Sequence, residues 1–387
     1  VLTLLNLRDE ENLVEQVTVC GNIKFRYLIE FERDVFSLGS KKLTEYCEGR
    51  DVLVVVSSTV YDILGCVIEE CFSKRSASVA TRIVSITDSE NDKNIEHVLG
   101  LCKVAKTVGI DRKGIFIAVG GGVLMDMVGL AASIYRRKVD YIRVPTTLLG
   151  QVDAAVGIKT AVNFDGHKNL IGSFHPPMAV FNDVKLLASL PVYQSRCGLA
   201  EIVKMAISLD RGLFNKIEPR MDSIIKPKLD NDWNFLEEVI AESTISMVEQ
   251  IESNFYEADL ARYVDFGHTF SPVIEEDSQY QIGHGHAVAM DMALSTQLSF
   301  DKGWLAQEDR DRIIKVLMRI GLEVRFDLLD EVDRLWYAIE KIMEHRGALN
   351  LVVPVEIGKS TFIRDLKTID RIDLVNSVNG LRKFYEN

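Results

Sequence analysis

Gly114–Tyr135, GIFIAVGGGVLMDMVGLAASIY, is the stretch on which the architecture turns. Ile115–Val119 is an unbroken apolar run closed by glycines, the signature of a strand buried on both faces. Val123–Tyr135 follows at helix length with small residues throughout, so the segment reads as strand, glycine turn, helix. Upstream, Asp51-Val-Leu-Val-Val-Val-Ser-Ser is an apolar run ending in small polar residues, and Val60–Phe72 after it is apolar at helical spacing. Arg82–Thr87 repeats the strand, and Glu90–Thr107 shows helical spacing behind a polar, acidic start. Strand and helix in alternation predict an open parallel sheet covered on both faces. Residues 1–50 read only as strands and a short helix.

The texture changes after Pro191. Ser195–Ser208, Asp232–Ser253, His284–Lys302, Gln307–Ile320 and Leu329–His345 are expected to be helices, with Leu349–Pro354 as the one further strand. The fold class expected is therefore α/β followed by all-α. The boundary falls near residue 185, with an α/β domain over 1–185 and a mainly helical domain over 186–387. No internal repeat or flexible linker is visible.

Composition narrows the functional classes. A chain of 387 residues with 47% hydrophobic and 26% charged residues has the make-up of an ordinary globular protein with ample core. No apolar run approaches the roughly 18 residues a membrane helix needs, and VLTLLNLRDEEN at the start has neither the basic flank nor the cleavage site of a secretion signal. Six cysteines without a CxxC pair suggest free thiols in a reducing compartment, hence a cytoplasmic location. A net charge of −12 argues against general binding to nucleic acid. An anionic small molecule would need a local cluster of cations.

Such a cluster is suggested by Val144–Gly172, VPTTLLGQVDAAVGIKTAVNFDGHKNLIG. Asp153, Lys159 and Lys168 stand among apolar residues, where a charge is costly unless paired, so they read as groups aimed into one polar cavity. A solvated loop is the competing reading; Val152, Ala154, Ala155, Val156, Ile158, Ala161 and Val162 count against it.

Gly120-Gly121-Gly122 at the strand end is a phosphate-cradling arrangement, because glycine admits a diphosphate to the backbone and the helix N-terminus offers free N–H groups. It is not GxGxxG, and a simple tight turn explains it equally well. Asp126, one turn further on, is either an acid favoured by the helix dipole or a group facing the site. Glu201 in GLAEIVK, with Lys204 on the same helix face, His268 in VDFGHTFSP and His284 in GHGHAVAMDM form a set suited to a divalent, zinc-like metal with an open position. Each histidine taken alone is more often structural. His286 cannot point with His284 on one helix; His97 reads as helix surface, His167 as a loop residue and His175 as a turn residue before Pro176-Pro177.

These segments together resemble the sugar phosphate cyclases, the dehydroquinate synthase-like superfamily. The resemblance rests on GGGVLMDMVGLAASIYRR, VPTTLLGQVDAAVGIKTAVN, GHKNLIGSFHPP, GLAEIVK, GHTFSP and HGHAVA, and runs from about residue 51 to 358. It implies a Rossmann-like N-terminal domain binding NAD and a helical C-terminal domain, with a metal (zinc or cobalt) held in the cleft by Glu201, His268 and His284. It assigns Asp126, Asp153, Lys159, Lys168, Asn169 and Lys204 to the substrate and cofactor cleft. Glu90, Lys93, Gly121, Gly122, Thr146 and Thr147 fall at nucleotide-contacting positions, and Arg137 at that of a phosphate-binding arginine. The family usually forms homodimers.

Departures from the family pattern carry the substrate assignment. Dehydroquinate synthases generally have Asn where Asp265 stands, His for Pro272, Lys for Ile251 and Lys for His345. A carboxylate-bearing heptulosonate needs cations or donors facing its carboxylate; Ile251 and Pro272 remove them, and Asp265 repels an acid while accepting from hydroxyls. Each change alone has a bland explanation as core drift, a helix cap or a basic residue at a helix end. Together they are most similar to the 2-epi-5-epi-valiolone synthases, which act on sedoheptulose 7-phosphate; desmethyl-4-deoxygadusol synthases typically show Ala, Glu and Thr at positions 265, 251 and 345. Arg262 lies one residue from the family's arginine in this region. The resemblance implies transient oxidation of the C5 hydroxyl by NAD, phosphate loss from C7, reduction, ring opening and aldol closure on C2. Competing readings are dehydroquinate synthase, 2-epi-valiolone synthase, a metal-dependent alcohol or glycerol dehydrogenase, and an NAD-binding regulator without turnover.

Overall fold

Six strands lie side by side in the order β1 (Leu28–Phe31), β8 (Ala179–Asn182), β5 (Asp140–Pro145), β4 (Ile115–Gly120), β2 (Val52–Ser57) and β3 (Thr81–Ile86), all paired in parallel. This computed structural model describes residues 18–21, 24–73, 75, 79–225, 232–322 and 324–386. Every residue of β2 and β4 is buried, as their unbroken apolar runs require. Alternate side chains feed opposite layers. Leu53, Val55, Phe116 and Ala118 pack under α2 (Ile95–Val108) and α3 (Gly122–Ile134), while Val54, Val56, Ile117 and Val119 pack with Ile68 and Phe72 of α1 (Ser58–Ser73). The chain runs from β2 outward to β3 and then returns to place β4 on the other side of β2. The resulting switch point opens a crevice at the strand ends where Gly121 stands.

Between β5 and β8 the chain makes a π-helical turn, Gly150–Ala154, and an antiparallel hairpin of β6 (Lys159–Phe164) and β7 (His167–Phe174). A 3₁₀ turn, Val184–Ser189, leads from β8 into α4 (Val192–Ser208). The remainder is mainly helical: α5 (Trp233–Ile251), α6 (Ser271–Asp277), α7 (His284–Asp301), α8 (Gln307–Ile320), α9 (Val332–Arg346) and α10 (Arg371–Glu386). α7 is the axis of this half, buried from Ala287 through Ser299. A Cβ on Gly285 would come within 2.4 Å of Cys197 Cα, so only glycine lets the start of α7 meet α4 this closely.

Several local expectations need correction. Glu90–Asp92 is a 3₁₀ turn, and the helix begins only at Ile95, where the Asn94 side chain accepts from the His97 backbone N–H. Leu351–Glu356 (β9) is not the last strand: it pairs with β10 (Lys359–Ile363), whose alternating pattern is too short to stand out in sequence. His167 begins β7 rather than lying in a loop. His175 is buried, with its ring stacked on Tyr141 and Nε2 2.9 Å from the Val139 carbonyl. No helix among the described residues is long and apolar enough to cross a membrane.

Candidate active site

Glu201 and Lys204 lie one turn apart on α4, both about as buried as side chains can be (1% and 2% exposed). His284 is the first residue of α7, behind Gly283 as N-cap. His268 is held by the loop before α6. Gly267 adopts φ +76° there, and a Cβ would lie 2.8 Å from Met292 Cγ, so a side chain would push the loop off α7. Asp291 of α7 accepts from the backbone N–H groups of Phe270 and Ser271 at 2.5 and 3.0 Å and fixes the same loop. Ligand atoms of Glu201, His268 and His284 thereby come within 4.8 Å of one another.

The electrostatics of this triad favour a cation. Glu201 Oε2 lies 2.5 Å from Lys204 Nζ, and Oε1 lies 3.3 Å from His284 Nε2. Burial opposes ionisation of Glu201, but Lys204 and the imidazoles overcome it and hold the carboxyl well below its usual range. Burial and Lys204 keep the His268 pKa low, which suits a neutral nitrogen ligand. Burial also disfavours charge on His284, yet hydrogen bonds to Glu201 and Glu275 raise its pKa to about 10, a measure of how strongly this spot attracts positive charge.

A second set of charges sits beside it. Arg262 donates to both oxygens of Asp265, at 2.6 and 3.2 Å, and also pairs with Glu257. Glu257, in a left-handed backbone conformation (φ +53°), also takes Lys159 Nζ at 2.8 Å. Asp265 is buried, and its carbonyl accepts from the His268 backbone N–H at 3.0 Å. Desolvation and Arg262 lower the Lys159 pKa, against Asp153 and Asp265. Burial likewise disfavours the charge on Lys204, but Glu201 and Asp153 raise its pKa. Asp153, Lys159, Lys204, Arg262 and Asp265 thus act on one another electrostatically.

The frame for Asp153 and Lys159 is Arg143, a fully buried arginine in β5. It donates to the carbonyls of Ala154, Ala155, Gly157 and Lys159 at 2.5–3.3 Å and so clamps the π turn to the start of the hairpin. Sequence reading passed over it. Its signal was a cation inside an otherwise apolar strand, which has to satisfy its donors internally.

On the crevice side, Gly121 is the N-cap of α3 without a side-chain cap, so the first N–H groups of the helix face outward. Thr147 Oγ1 accepts from Gly150 N–H at 3.0 Å, Thr147 Cγ2 would lie 3.3 Å from a Cβ on Gly121, and the Thr146 N–H donates to the Gly120 carbonyl. Lys93 Nζ bridges Asp126 at 2.6 Å and Asn169 at 2.5 Å. Burial raises the Asp126 pKa, and Lys93 opposes this. Glu90 accepts from Asn163 Nδ2 at 2.8 Å, and Asn163 Oδ1 accepts from the Asn169 N–H. Lys168 pairs with Glu275 at 2.7 Å, and Glu275 holds His284 Nδ1 at 2.9 Å.

Other candidates are placed elsewhere. Arg137 is exposed beyond the C-terminus of α3, and thirteen helical residues separate it from the glycine end, about 20 Å at 1.5 Å each. Within one chain it does not join the cluster. Ile251 ends α5 against Val156, Met205, Met247 and Val264. Pro272 is exposed in the first turn of α6, where its missing N–H costs nothing. The side chain of His345 lies outside the described residues. His286 turns away from the triad onto the Tyr193 ring, 4.5 Å between centroids. Besides Arg143, sequence reading missed Glu257 and Glu275, polar residues in stretches with no motif of their own.

The sequence patterns of two family domains match this chain in tandem, 3-dehydroquinate synthase N-terminal over residues 83–197 and 3-dehydroquinate synthase C-terminal over residues 198–344. The chain belongs to the dehydroquinate synthase-like sugar phosphate cyclases. Among its relatives in this family, a 2-epi-5-epi-valiolone synthase of Streptomyces glaucescens is 41% identical over 345 residues, 89% of this chain and 88% of that protein. The solved 2-epi-5-epi-valiolone synthase of Streptomyces hygroscopicus subsp. jinggangensis, with NAD+ and Zn2+ bound, superposes with a TM-score of 0.88 at 31% identity, covering 95% of this chain and 99% of that one. A 2-deoxy-scyllo-inosose synthase complexed with carbaglucose-6-phosphate, NAD+ and Co2+ shares the fold, with a TM-score of 0.76 at 23% identity over 91% and 96% of the two chains.

The residues of this cyclase-family chain fit both groups. The buried Glu201 carboxylate turns its oxygens to Lys204 and His284, and one carboxylate with two imidazoles is a donor set for zinc or cobalt that leaves a position open. The uncapped N-terminus of α3 at a switch-point crevice fits the diphosphate of NAD.

Proposed function

We propose that the chain converts sedoheptulose 7-phosphate to 2-epi-5-epi-valiolone with release of phosphate. The observation that carries this reading is the fork of Arg262 on Asp265, with Glu257 on its other nitrogen: two carboxylates already take up this guanidinium. A sugar acid entering there meets Asp265 rather than a counterion, whereas hydroxyls find an acceptor. Ile251, aliphatic at the end of α5, points the same way.

In this proposal NAD lies along the crevice against Gly121, Gly122, Thr146 and Thr147, with Glu90, Lys93 and Asp126 beside it. Glu201, His268 and His284 hold zinc or cobalt. Bound there, the nicotinamide supplies a hydride acceptor and donor, and the metal supplies Lewis acidity. Lys204, kept protonated by Glu201 and Asp153, sets a buried positive charge beside the triad, where a substrate oxygen gains negative charge. Lys159, with a lowered pKa, holds phosphate or passes a proton. Asp153 orients both lysines, Asn169 and Lys168 close the crevice from the hairpin, and Asp265, positioned by Arg262, accepts from substrate hydroxyls. His345 keeps the family position proposed for it near the substrate. Arg137 serves a phosphate only across two copies, which accords with the homodimer proposed for this chain. The proposed division is an α/β NAD domain to residue 185 and a helical metal and substrate domain beyond, in a cytoplasmic enzyme.

The deciding experiment is one incubation with sedoheptulose 7-phosphate, catalytic NAD and zinc, followed by phosphate assay and product NMR. 2-epi-5-epi-valiolone without net NADH is expected. Turnover of 3-deoxy-arabino-heptulosonate 7-phosphate instead makes the chain a dehydroquinate synthase, and a different cyclitol makes it another cyclase.

A further inference from the structure

We propose that Glu275 is a positioning residue for the metal triad, fixing the His284 ring and tying it through Lys168 to the β6–β7 hairpin. This rests on the metal reading of Glu201, His268 and His284. Glu275 Oε1 lies 2.9 Å from His284 Nδ1, on the side of the ring away from Glu201, which Nε2 approaches at 3.3 Å. Glu275 is therefore not a fourth ligand. An ionised carboxylate only accepts, so Nδ1 carries a proton, and Nε2 is the nitrogen turned to the triad. The other oxygen, Oε2, accepts from Lys168 Nζ at 2.7 Å, and that ammonium lies 4.4 Å from the centre of the Tyr280 ring.

Glu275 is 7% exposed and engaged at both oxygens, by His284 and by Lys168. Its rotamer is pinned from both sides. His284 opens α7 behind an uncapped glycine, and its ring meets Glu201 at Nε2 and the His268 ring, 5.3 Å between centroids, on the triad side. Carboxylate partners of this kind typically contribute a factor of about 10–100 in metal affinity. From Lys168 the contacts continue through the neighbouring Asn169 to Lys93 and Asp126 at the start of α3, so the hairpin joins the metal triad to the nucleotide crevice.

Zinc affinity measured by competition with a chromophoric chelator tests this, together with the visible spectrum of the Co2+-loaded protein. Glu275→Ala is expected to weaken zinc binding about 10–100-fold and alter the cobalt bands. Glu275→Gln, which still accepts from Nδ1, should recover most of the affinity, and Lys168→Met should lose less than Glu275→Ala. In the zinc-loaded wild type, ¹⁵N NMR should show a protonated, hydrogen-bonded Nδ1 on His284; this readout needs no variant to fold. Wild-type affinity in Glu275→Ala, an equal loss in Glu275→Gln, or zinc on Nδ1 overturns the proposal. If wild type and His284→Ala bind zinc alike, the metal reading itself fails and takes this one with it.

Discussion

Lys204 Nζ stands 2.5 Å from Glu201 Oε2, a complete ion pair within one turn of a buried helix. The pair gives Lys204 two consequences. It stays charged where desolvation would otherwise neutralise it, and its charge faces the triad. Lys204→Ala is expected to keep the fold and NAD binding while phosphate release falls by a factor on the order of 10³. Unchanged turnover would remove Lys204 from the chemistry.

Asp265 commits Arg262. Asp265→Asn is expected to lower kcat/KM for sedoheptulose 7-phosphate about 10-fold or more, without turnover of 3-deoxy-arabino-heptulosonate 7-phosphate. Adding Ile251→Lys should bring measurable turnover of the acid. Steady-state kinetics of single and double variants on both substrates decides between a specificity role and a merely structural one.

Arg143 donates to four carbonyls around the π turn. Replacing it by Met leaves buried acceptors unsatisfied, at about 1–3 kcal/mol for each one lost. Lower Tm and weaker NAD binding are expected together, because the turn carries Asp153 and leads into Lys159. A variant with wild-type Tm and NAD affinity contradicts the clamp.

Metal removal gives a separate check. Prolonged chelation should abolish turnover, zinc or cobalt should restore it, and the far-ultraviolet circular dichroism should stay constant, because the triad joins helices that already pack without it.

Thiol chemistry follows the burial. Desolvation raises Cys47, Cys71 and Cys197 to about 11 from 9.0, whereas Cys20 and Cys66 are exposed. A raised pKa means less thiolate, about one part in a thousand at pH 8. Iodoacetamide at pH 8 should label Cys20 and Cys66 first, and the buried three only once the chain unfolds. Early labelling of Cys197 in peptide mapping would show that α4 and α7 separate in solution.

The sequence by itself determined β2, β3 and β4 of the sheet and the longer helices, because burial on two faces writes unbroken apolar runs such as Ile115–Val119 and burial on one face writes helical spacing. It also named Glu201, His268 and His284, through motifs and not through spacing, since 67 and 16 residues separate them in the chain. Only the tertiary structure decided which charges meet. The Glu257 contact with Lys159 and the Glu275 contact with Lys168 join distant segments, and the hold of Arg143 on the π turn is a local contact that no apolar pattern records. The energy of a buried charge depends on partners within a few ångströms, and chain order does not record them. For the same reason Arg137, persuasive in sequence, stands about 20 Å along α3 from the crevice it was expected to serve.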